Sequence, residues 1–234
     1  MKARFGIAAA SILVACVVTV ANAQDQEALK ARVAAVKQSL VESKAALKSY
    51  EWTETTTFSL KGEVKSRTQN RCHYGPDGKV QKTLIGAPPE EKKKGGLRGK
   101  VVANKKEDIA SAMKQAKALL ATYVPPDPAK IQASFAAGKA SMTMVDPGKL
   151  ARVAFKDYNK PGDMLSLDVD LTQNHLTNLA VTSYTDKPEN MVTLGATLGS
   201  LEGGVIYPEH ISLDVKSAKT TTVIDNSDYK KTGA

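Results

Sequence analysis

The chain has 234 residues and a formal net charge of +9 at pH 7, because lysine and arginine outnumber aspartate and glutamate by 33 to 24. Aromatic residues make up only 5% of it, which argues against a protein that recognises nucleic acid by stacking bases on aromatic rings. No apolar run reaches the roughly 20 residues that a membrane-spanning helix needs.

The N-terminus has the three parts of a cleaved secretory signal. Lys2 and Arg4 are basic, residues 7–20 form an apolar core, and Ala21-Asn22-Ala23 matches a cleavage site. We therefore predict that residues 1–23 are a signal peptide and that the mature protein, residues 24–234, is periplasmic.

The cysteines leave one alternative open. Leu13-Val14-Ala15-Cys16 also resembles a lipobox, so a lipid anchor on Cys16 is the alternative to a soluble periplasmic form. If the signal is removed, Cys72 is the only cysteine left and no intrachain disulfide can form.

The net charge of the mature protein then falls to +7, because Lys2 and Arg4 leave with the signal. In an exported protein this charge points to anionic lipid head groups, to other envelope polymers or to solubility alone.

The first part of the mature chain predicts a helix followed by three strands. Between residues 25 and 48, apolar residues recur at helical spacing: Leu29, Val33, Val36, Leu40 and Leu47. From Tyr50 the period changes to two, and residues 50–60, 63–74 and 79–84 are predicted as strands separated by turns. The second strand is predicted to be an edge or a largely solvated strand, because it is rich in Lys and Arg.

Residues 87–102 interrupt the pattern with prolines, glycines and charges, and we predict a flexible basic loop. Two helices follow within residues 104–138, the second of which begins at Asp127-Pro128. The loop is either a solvated linker or a contact with an anionic surface. The candidates for that contact are Lys92, Lys93, Lys94, Arg98, Lys100, Lys105 and Lys106.

From Lys139 onward apolar and polar residues alternate again, most regularly between Met164 and Tyr229. Turn residues separate the runs, and no helical period interrupts them, so neighbouring strands should pair antiparallel as a meander. The order helix, strands, helices, many strands predicts one α+β domain with a large antiparallel sheet and helices gathered on one side.

The chain resembles the bacterial outer-membrane lipoprotein-carrier superfamily, which has the LolA/LolB/LppX-like fold. The features that carry the resemblance are the order of elements, the strand start Tyr50-Glu51-Trp52-Thr53, residues 159–170, Tyr207-Pro208, residues 211–215, and an N-S-x-Y sequence at Asn226 to Tyr229. The resemblance covers nearly all of residues 25–231. It implies a half-open β-barrel, a curved antiparallel sheet whose concave face is covered by helices, and a hydrophobic cavity between them.

The resemblance and the apolar residues together predict a non-enzymatic carrier without a cofactor. Its ligand would be a lipid or a lipid-modified protein. The carrier itself would be a monomer that binds no nucleic acid and contacts anionic membrane peripherally. The predicted cavity wall consists of Trp52, Phe58, Leu60, Met113, Leu120, Phe135, Met142, Met144, Val153, Phe155, Leu165, Leu167, Val169 and Leu194. The alternative is an envelope protein-interaction or sensor module in which the same residues form a filled core.

A search for reactive groups predicts no active site and no metal site. Cys72 and His73 are adjacent on a strand, so they point to opposite faces and cannot act as a pair. Asp163, Asp168 and Asp170 are predicted to be solvated charges, because they lie off the apolar face.

The remaining residues that could bind a metal or a cofactor are equally isolated. His175 and His210 lack a second ligand at zinc spacing. Gly195 and Gly199 lie in a strand and are expected to mark a bend of the sheet rather than a phosphate loop.

Overall fold

The computed structural model describes residues 23–86 and 97–232, and the side chains of residues 35–86 and 104–232. The predicted signal peptide and residues 87–96 of the predicted loop lie outside these ranges. Within them there are three α-helices and ten strands. The helices are α1 (Ala23–Ala46), α2 (Leu97–Leu120) and α3 (Pro128–Ala136). The strands are β1 (Tyr50–Leu60), β2 (Glu63–Tyr74), β3 (Val80–Ile85), β4 (Ala140–Asp146), β5 (Leu150–Lys156), β6 (Met164–Asp170), β7 (His175–Tyr184), β8 (Met191–Ser200), β9 (Ile206–Val215) and β10 (Thr220–Lys231).

All ten strands belong to one antiparallel sheet with the order β3-β2-β1-β10-β9-β8-β7-β6-β5-β4. Two meanders, β1 to β3 and β4 to β10, are joined where the last strand pairs with the first. The sheet is curved but open, with β3 and β4 at its two edges. The predicted α+β fold, with a large open antiparallel sheet and helices on one face, is therefore confirmed.

Local chemistry explains where helix α3 begins and ends. The Asp127 carboxylate accepts a hydrogen bond from the Ala129 amide at 2.8 Å, and Pro128 occupies the first turn, where no amide donor is needed. Gly138, with φ of +66°, ends the segment in the left-handed region that glycine adopts readily.

Helix α2 begins earlier than the sequence predicts. It starts at Leu97, so residues 97–102 of the predicted loop are helical. Gly99 suggested a break, but one isolated glycine costs a long helix only about 1 kcal/mol. The Leu, Arg, Lys and Val residues around it tolerate helix, so the helix extends through them.

The core lies between the sheet and the helices. Its larger part joins β5, β6 and β7 to α3 and to Tyr123, which follows α2. A smaller part packs Ala116 of α2 against Val192 of β8 and Val215 of β9. From α1, Val36 and Leu40 pack on the larger part.

Candidate ligand-binding face

The register of the sheet places apolar residues in rows across its inner face, by which we mean the face that carries the helices. Residues directly opposite one another on neighbouring strands form such a row. The central row runs from β1 through β10 to β4 and consists of Phe58, Thr222, Leu213, Leu194, Val181, Leu165, Phe155 and Ala140. The next row consists of Thr56, Ile224, Ile211, Ala196, Leu179, Leu167, Val153 and Met142.

The central row is closed over β5, β6 and β7. Leu165 and Val181 are fully buried and Phe155 is 2% exposed. The Phe135 ring of α3 meets the Phe155 ring edge to face, with centroids 5.5 Å apart. This half of the inner face is therefore a packed core.

The same row is only half-buried over β8, β9, β10 and β1. On β9, α2 packs at one end, where Ala116 meets Val215, and α1 packs at the other, where Ser43 Oγ accepts a hydrogen bond from the Ile206 amide at 2.9 Å. The nine residue steps between Ile206 and Val215 span about 30 Å of strand. We call the half-buried surface between the two helix contacts the trough, and it consists of Phe58, Leu194, Ile211, Leu213, Thr222 and Ile224.

Thr222 is the polar residue in the middle of the trough. Its Oγ1 atom is buried without a hydrogen-bond partner, the one such side-chain atom among the described residues. Buried polar atoms are normally paired, so an unpaired hydroxyl beside Phe58 and Leu213 marks a part of the inner face that is not packed as a finished core.

A buried polar cluster fixes the end of α2 to the sheet. The Tyr123 hydroxyl donates to Asp163 Oδ2 and lies 2.8 Å from Ser183 Oγ. The amides of Asn159 and Lys160 donate to the same carboxylate at 3.1 and 3.0 Å. The pKa of Tyr123 is raised to about 12, mainly by burial and to a smaller extent by the hydrogen bond to Asp163. We call Tyr123, Asp163 and Ser183 the latch.

The junction between α2 and α3 is held by the loop that supplies Asp163. The Tyr158 hydroxyl accepts a hydrogen bond from the Asp127 amide at 2.8 Å. The Asn159 side-chain amide donates to the carbonyl and hydroxyl oxygens of Thr122 at 3.2 and 3.0 Å. The C-terminal end of α2 is therefore fixed at several points.

A groove of about 660 Å³ lies beside the other part of α2. Its walls come from α2, from the β1–β2 and β7–β8 turns and from the short 3₁₀ turn before β10. The lining residues are Leu60, Lys61, Glu63, Lys65, Lys105, Asp108, Ile109, Ser111, Ala112, Gln115, Thr185, Asp186, Asn190, Ser217, Ala218 and Lys219. The groove is open to solvent rather than enclosed.

The predicted cavity-wall residues fall into separate environments. Phe58 and Leu194 lie in the trough, where Leu194 also packs against the larger core, and Leu60 lines the groove. Val153, Phe155, Leu165, Leu167, Val169, Leu120 and Phe135 belong to or pack against the larger core, and Met113 packs against the smaller one. The structure brings the strand residues onto one face but does not test whether they bind a ligand.

The two predicted methionines of β4 lie on the inner face but remain open to solvent. Met142 is 64% exposed and Met144 is 42% exposed, because β4 is an edge strand beyond the reach of the described part of the helices. They form an apolar margin to the packed half of the face.

Trp52 lies in an aromatic cluster near the start of β1. Its indole nitrogen donates to Asn226 Oδ1 at 3.0 Å, and its ring stacks on Tyr229 with centroids 5.5 Å apart. The Asn226 amide group also donates to the Pro208 carbonyl oxygen at 2.8 Å. The N-S-x-Y sequence therefore ties β10 to both neighbouring strands.

Beside this cluster lies a buried charge. Lys82 Nζ donates to both oxygens of Glu54 at 2.6 Å.

The Cys72 thiol is fully buried, and its pKa is raised mainly by burial and then by the nearby Glu54 carboxylate. A thiol held in its neutral form is a poor nucleophile, in keeping with a structural role for Cys72.

The prediction that the strand carboxylates are solvated is wrong for two of them. Asp168 is 3% exposed, and Arg152 Nε and Nη2 donate to its two oxygens at 2.7 Å. The register places Arg152 and Asn178 on either side of Asp168, so neighbouring side chains cover the carboxylate. Asp163 is 2% exposed because it accepts the hydrogen bonds of the latch. Asp170 is half-buried and its pKa is lowered, chiefly by the Thr172 hydroxyl.

Other predicted sites lie partly outside the described residues. Lys92, Lys93 and Lys94 are outside them, and Arg98 and Lys100 lie in α2 without described side chains. Lys105 and Lys106 are exposed on α2. Within the described ranges, no three His, Cys, Asp or Glu side chains are grouped so that they could hold a metal.

No protein-family model and no curated protein matches the sequence. Solved structures do resemble it in fold. A LolA superfamily protein from Nitrosomonas europaea has 9% identity and a TM-score of 0.37, covering 85% of this chain and 94% of that one. A DUF1329 family protein from Desulfovibrio piger has 10% identity and a TM-score of 0.38, covering 86% and 92%. The MucA/MucB complex of Pseudomonas aeruginosa has 7% identity and a TM-score of 0.23, covering 86% and 100%.

One of these structures has the family name that the sequence resemblance predicted, but a TM-score of 0.37 does not place this chain in that family. Similarity at this level concerns the fold and says nothing about ligand or activity. In the described part of the chain, no helix combines the length and the apolar character that crossing a membrane requires.

Proposed function

We propose that this protein is an exported, periplasmic, non-enzymatic carrier that holds the acyl chain of a lipid or of a lipid-modified protein. The observation that carries the proposal is the trough, because its half-buried apolar side chains leave surface in contact with water that an acyl chain would cover. Each methylene group that it removes from water contributes about 0.8 kcal/mol to binding, before ordering costs are subtracted.

Helix α2 is the element that opens the site in this proposal. The latch fixes its C-terminal end, whereas the groove lies beside the rest of its described surface. A rotation of α2 about Tyr123 would lift Ala116 and Met113 from Val192 and Val215, and the groove would then become continuous with the trough. The exposed Lys105 and Lys106, on the part of α2 away from the latch, would contact anionic membrane.

Native mass spectrometry tests the proposal, applied to protein purified from a periplasm without detergent and paired with extraction of lipid. We expect a bound, extractable acyl-chain mass that Leu194→Gln removes, because the amide would be buried in the trough without a partner. Val41→Gln is the matched control, since Val41 is 56% exposed on α1. A clean mass of the protein alone, unchanged by added phospholipids and lipopeptides, would refute the carrier.

The packed half of the inner face favours one alternative, an envelope protein-interaction or sensor module with no ligand. Such a module would use exposed sheet edges, and β4 exposes Met142, Met144 and Val145 beside unpaired backbone groups. The absence of any bound mass in the experiment above would favour this second function.

A further inference from the structure

Two lysines meet at the end of the sheet that borders the groove. Lys61 lies in the turn between β1 and β2, and Lys219 directly precedes β10. The Lys61 amide donates to the Lys219 carbonyl oxygen at 2.7 Å, so the two backbones are in contact. Both residues line the groove and both are exposed.

Both lysines have an unfavourable backbone conformation. Their φ angles are +56° and +53°, in the left-handed region that glycine and asparagine adopt at lower cost. Gly62 adjoins Lys61, so the turn already contains a residue suited to this conformation. Positive φ at both central residues is usual in a two-residue hairpin turn, and Lys219 adopts it at the end of a 3₁₀ turn, so the two turns fix these conformations.

Neither lysine belongs to one of the described ion pairs, although Lys61 is near enough to the Glu63 carboxylate to help lower the pKa of that group. Among those pairs, Lys65 is the partner of Glu63. Two like charges on touching turns repel each other, and an anion between them would relieve that repulsion.

The groove contains acidic groups as well, and they leave an excess of positive charge. Glu63 accepts a hydrogen bond from Lys65, and Asp186 accepts hydrogen bonds from Asn190 and Thr185. Asp108 lines the α2 side. With Lys105 added, four lysines face three carboxylates in the groove.

Apolar residues adjoin the lysines on the side of the trough. Leu60 precedes Lys61, is paired with Thr220 and lies two residues from Phe58 on the same face. Across the groove, α2 supplies Ile109 and Ala112. The groove is therefore basic at the turns and apolar towards the sheet, which matches a molecule with an anionic head and an apolar chain.

We propose that Lys61 and Lys219 form a clamp for the phosphate group of an amphiphilic ligand whose chain enters the trough. This inference rests on the proposed carrier function and specifies its ligand class. Lysine ammonium groups bind phosphate as point charges, and two of them give a phosphate monoester or diester charge-assisted hydrogen bonds from two sides.

The test compares three probes by titration calorimetry at low salt, with periplasmic protein from which bound lipid has first been extracted. They are myristoyl lysophosphatidylglycerol, the neutral monomyristoylglycerol and inorganic phosphate. We expect the lysophospholipid to bind about tenfold more tightly than the neutral lipid, with the difference lost at high salt. The double variant Lys61→Gln/Lys219→Gln should bind both lipids equally. The control Lys149→Gln/Lys156→Gln removes the same charge from exposed positions outside the groove and should keep the preference.

The outcomes separate the clamp from the carrier. Equal affinity of the unaltered protein for both lipids would overturn the clamp and leave the carrier standing, as would a preference that survives the Lys61→Gln/Lys219→Gln change. Binding of neither lipid would refute the carrier and the clamp together. Phosphate binding that requires both lysines, without any lipid binding, would support an anion site and refute the carrier.

A stability measurement excludes a merely structural role for the lysines. Lys61→Asn/Lys219→Asn should raise or preserve the thermal midpoint, since asparagine accepts the left-handed conformation and the repulsion disappears. The same change should abolish the preference for the lysophospholipid. A lower midpoint would mean that the lysines stabilise the fold and would overturn the clamp.

Discussion

Replacing Asp163 by alanine is expected to lower the free energy of unfolding by about 3–5 kcal/mol, because several buried donors lose their acceptor together. The Tyr123 hydroxyl and the amides of Asn159 and Lys160 all donate to this carboxylate, which is 2% exposed. Urea denaturation measures the loss, with Trp52, the only tryptophan, as the fluorescent probe.

A matched change elsewhere in the same loop provides the control. Asp157 is exposed and accepts a hydrogen bond from the Gly162 amide at 2.8 Å. Asp157→Ala should cost far less than Asp163→Ala, since water can take the place of this exposed carboxylate. Equal losses for the two variants would contradict the latch.

The latch also predicts a loss of stability at alkaline pH. Tyr123 has an ordinary pKa near 10 in the unfolded chain and about 12 in the folded protein. Its contribution is complete below pH 10, where both states keep the proton, and is lost as the pH rises from 10 to 12, because only the unfolded state ionises. Over that window the free energy of unfolding should fall by about 2–3 kcal/mol from this residue.

Urea titrations between pH 9 and 12 measure the effect. Tyr123→Phe should be less stable at neutral pH, because it removes the hydroxyl from Asp163 and Ser183. Its stability should then vary less with pH than that of the unaltered protein. Parallel curves for the two proteins would show that other groups, such as Tyr229, whose pKa burial also raises, cause the decline.

The strands could be predicted because alternation is a local property. Residues 165–170 alternate strictly, and they lie in β6 as expected. Their neighbours across the sheet depend on register, which turns and bulges set over long distances. Asp168 is buried because Arg152 and Asn178 lie opposite it on the neighbouring strands. The sequence of β6 alone does not reveal these neighbours, and it therefore predicted a solvated carboxylate.

The candidate site was less predictable than the fold for the same reason. Phe58 and Leu194 were expected on the inner face, but the difference between the packed and the half-buried halves arises from where the helices end. The role of Tyr123 could not be predicted from its sequence neighbours, since its partner Asp163 is 40 residues away. No signal in the sequence links Lys61 to Lys219, because their contact depends on the pairing of β1 with β10.

Leucine-to-alanine changes at two positions of the central row should separate packing from binding. Leu165 is fully buried, so Leu165→Ala should cost about 3–4 kcal/mol of stability through lost burial and the cavity that remains. Leu194 is half-buried in the trough, and Leu194→Ala should cost about 1 kcal/mol. Urea denaturation measures both values, and equal costs would show that the trough is as tightly packed as the core.

Ligand binding should follow the opposite order. Leu194→Ala removes methyl and methylene groups from the proposed binding surface, so affinity for myristoyl lysophosphatidylglycerol should fall about tenfold. Leu165→Ala should leave that affinity nearly unchanged wherever the variant is folded, because Leu165 is fully buried within the larger core. A binding loss in Leu165→Ala alone would move the ligand to the packed half of the face and contradict the trough. The pair is informative because both leucines lie in the same row, on strands separated only by β7.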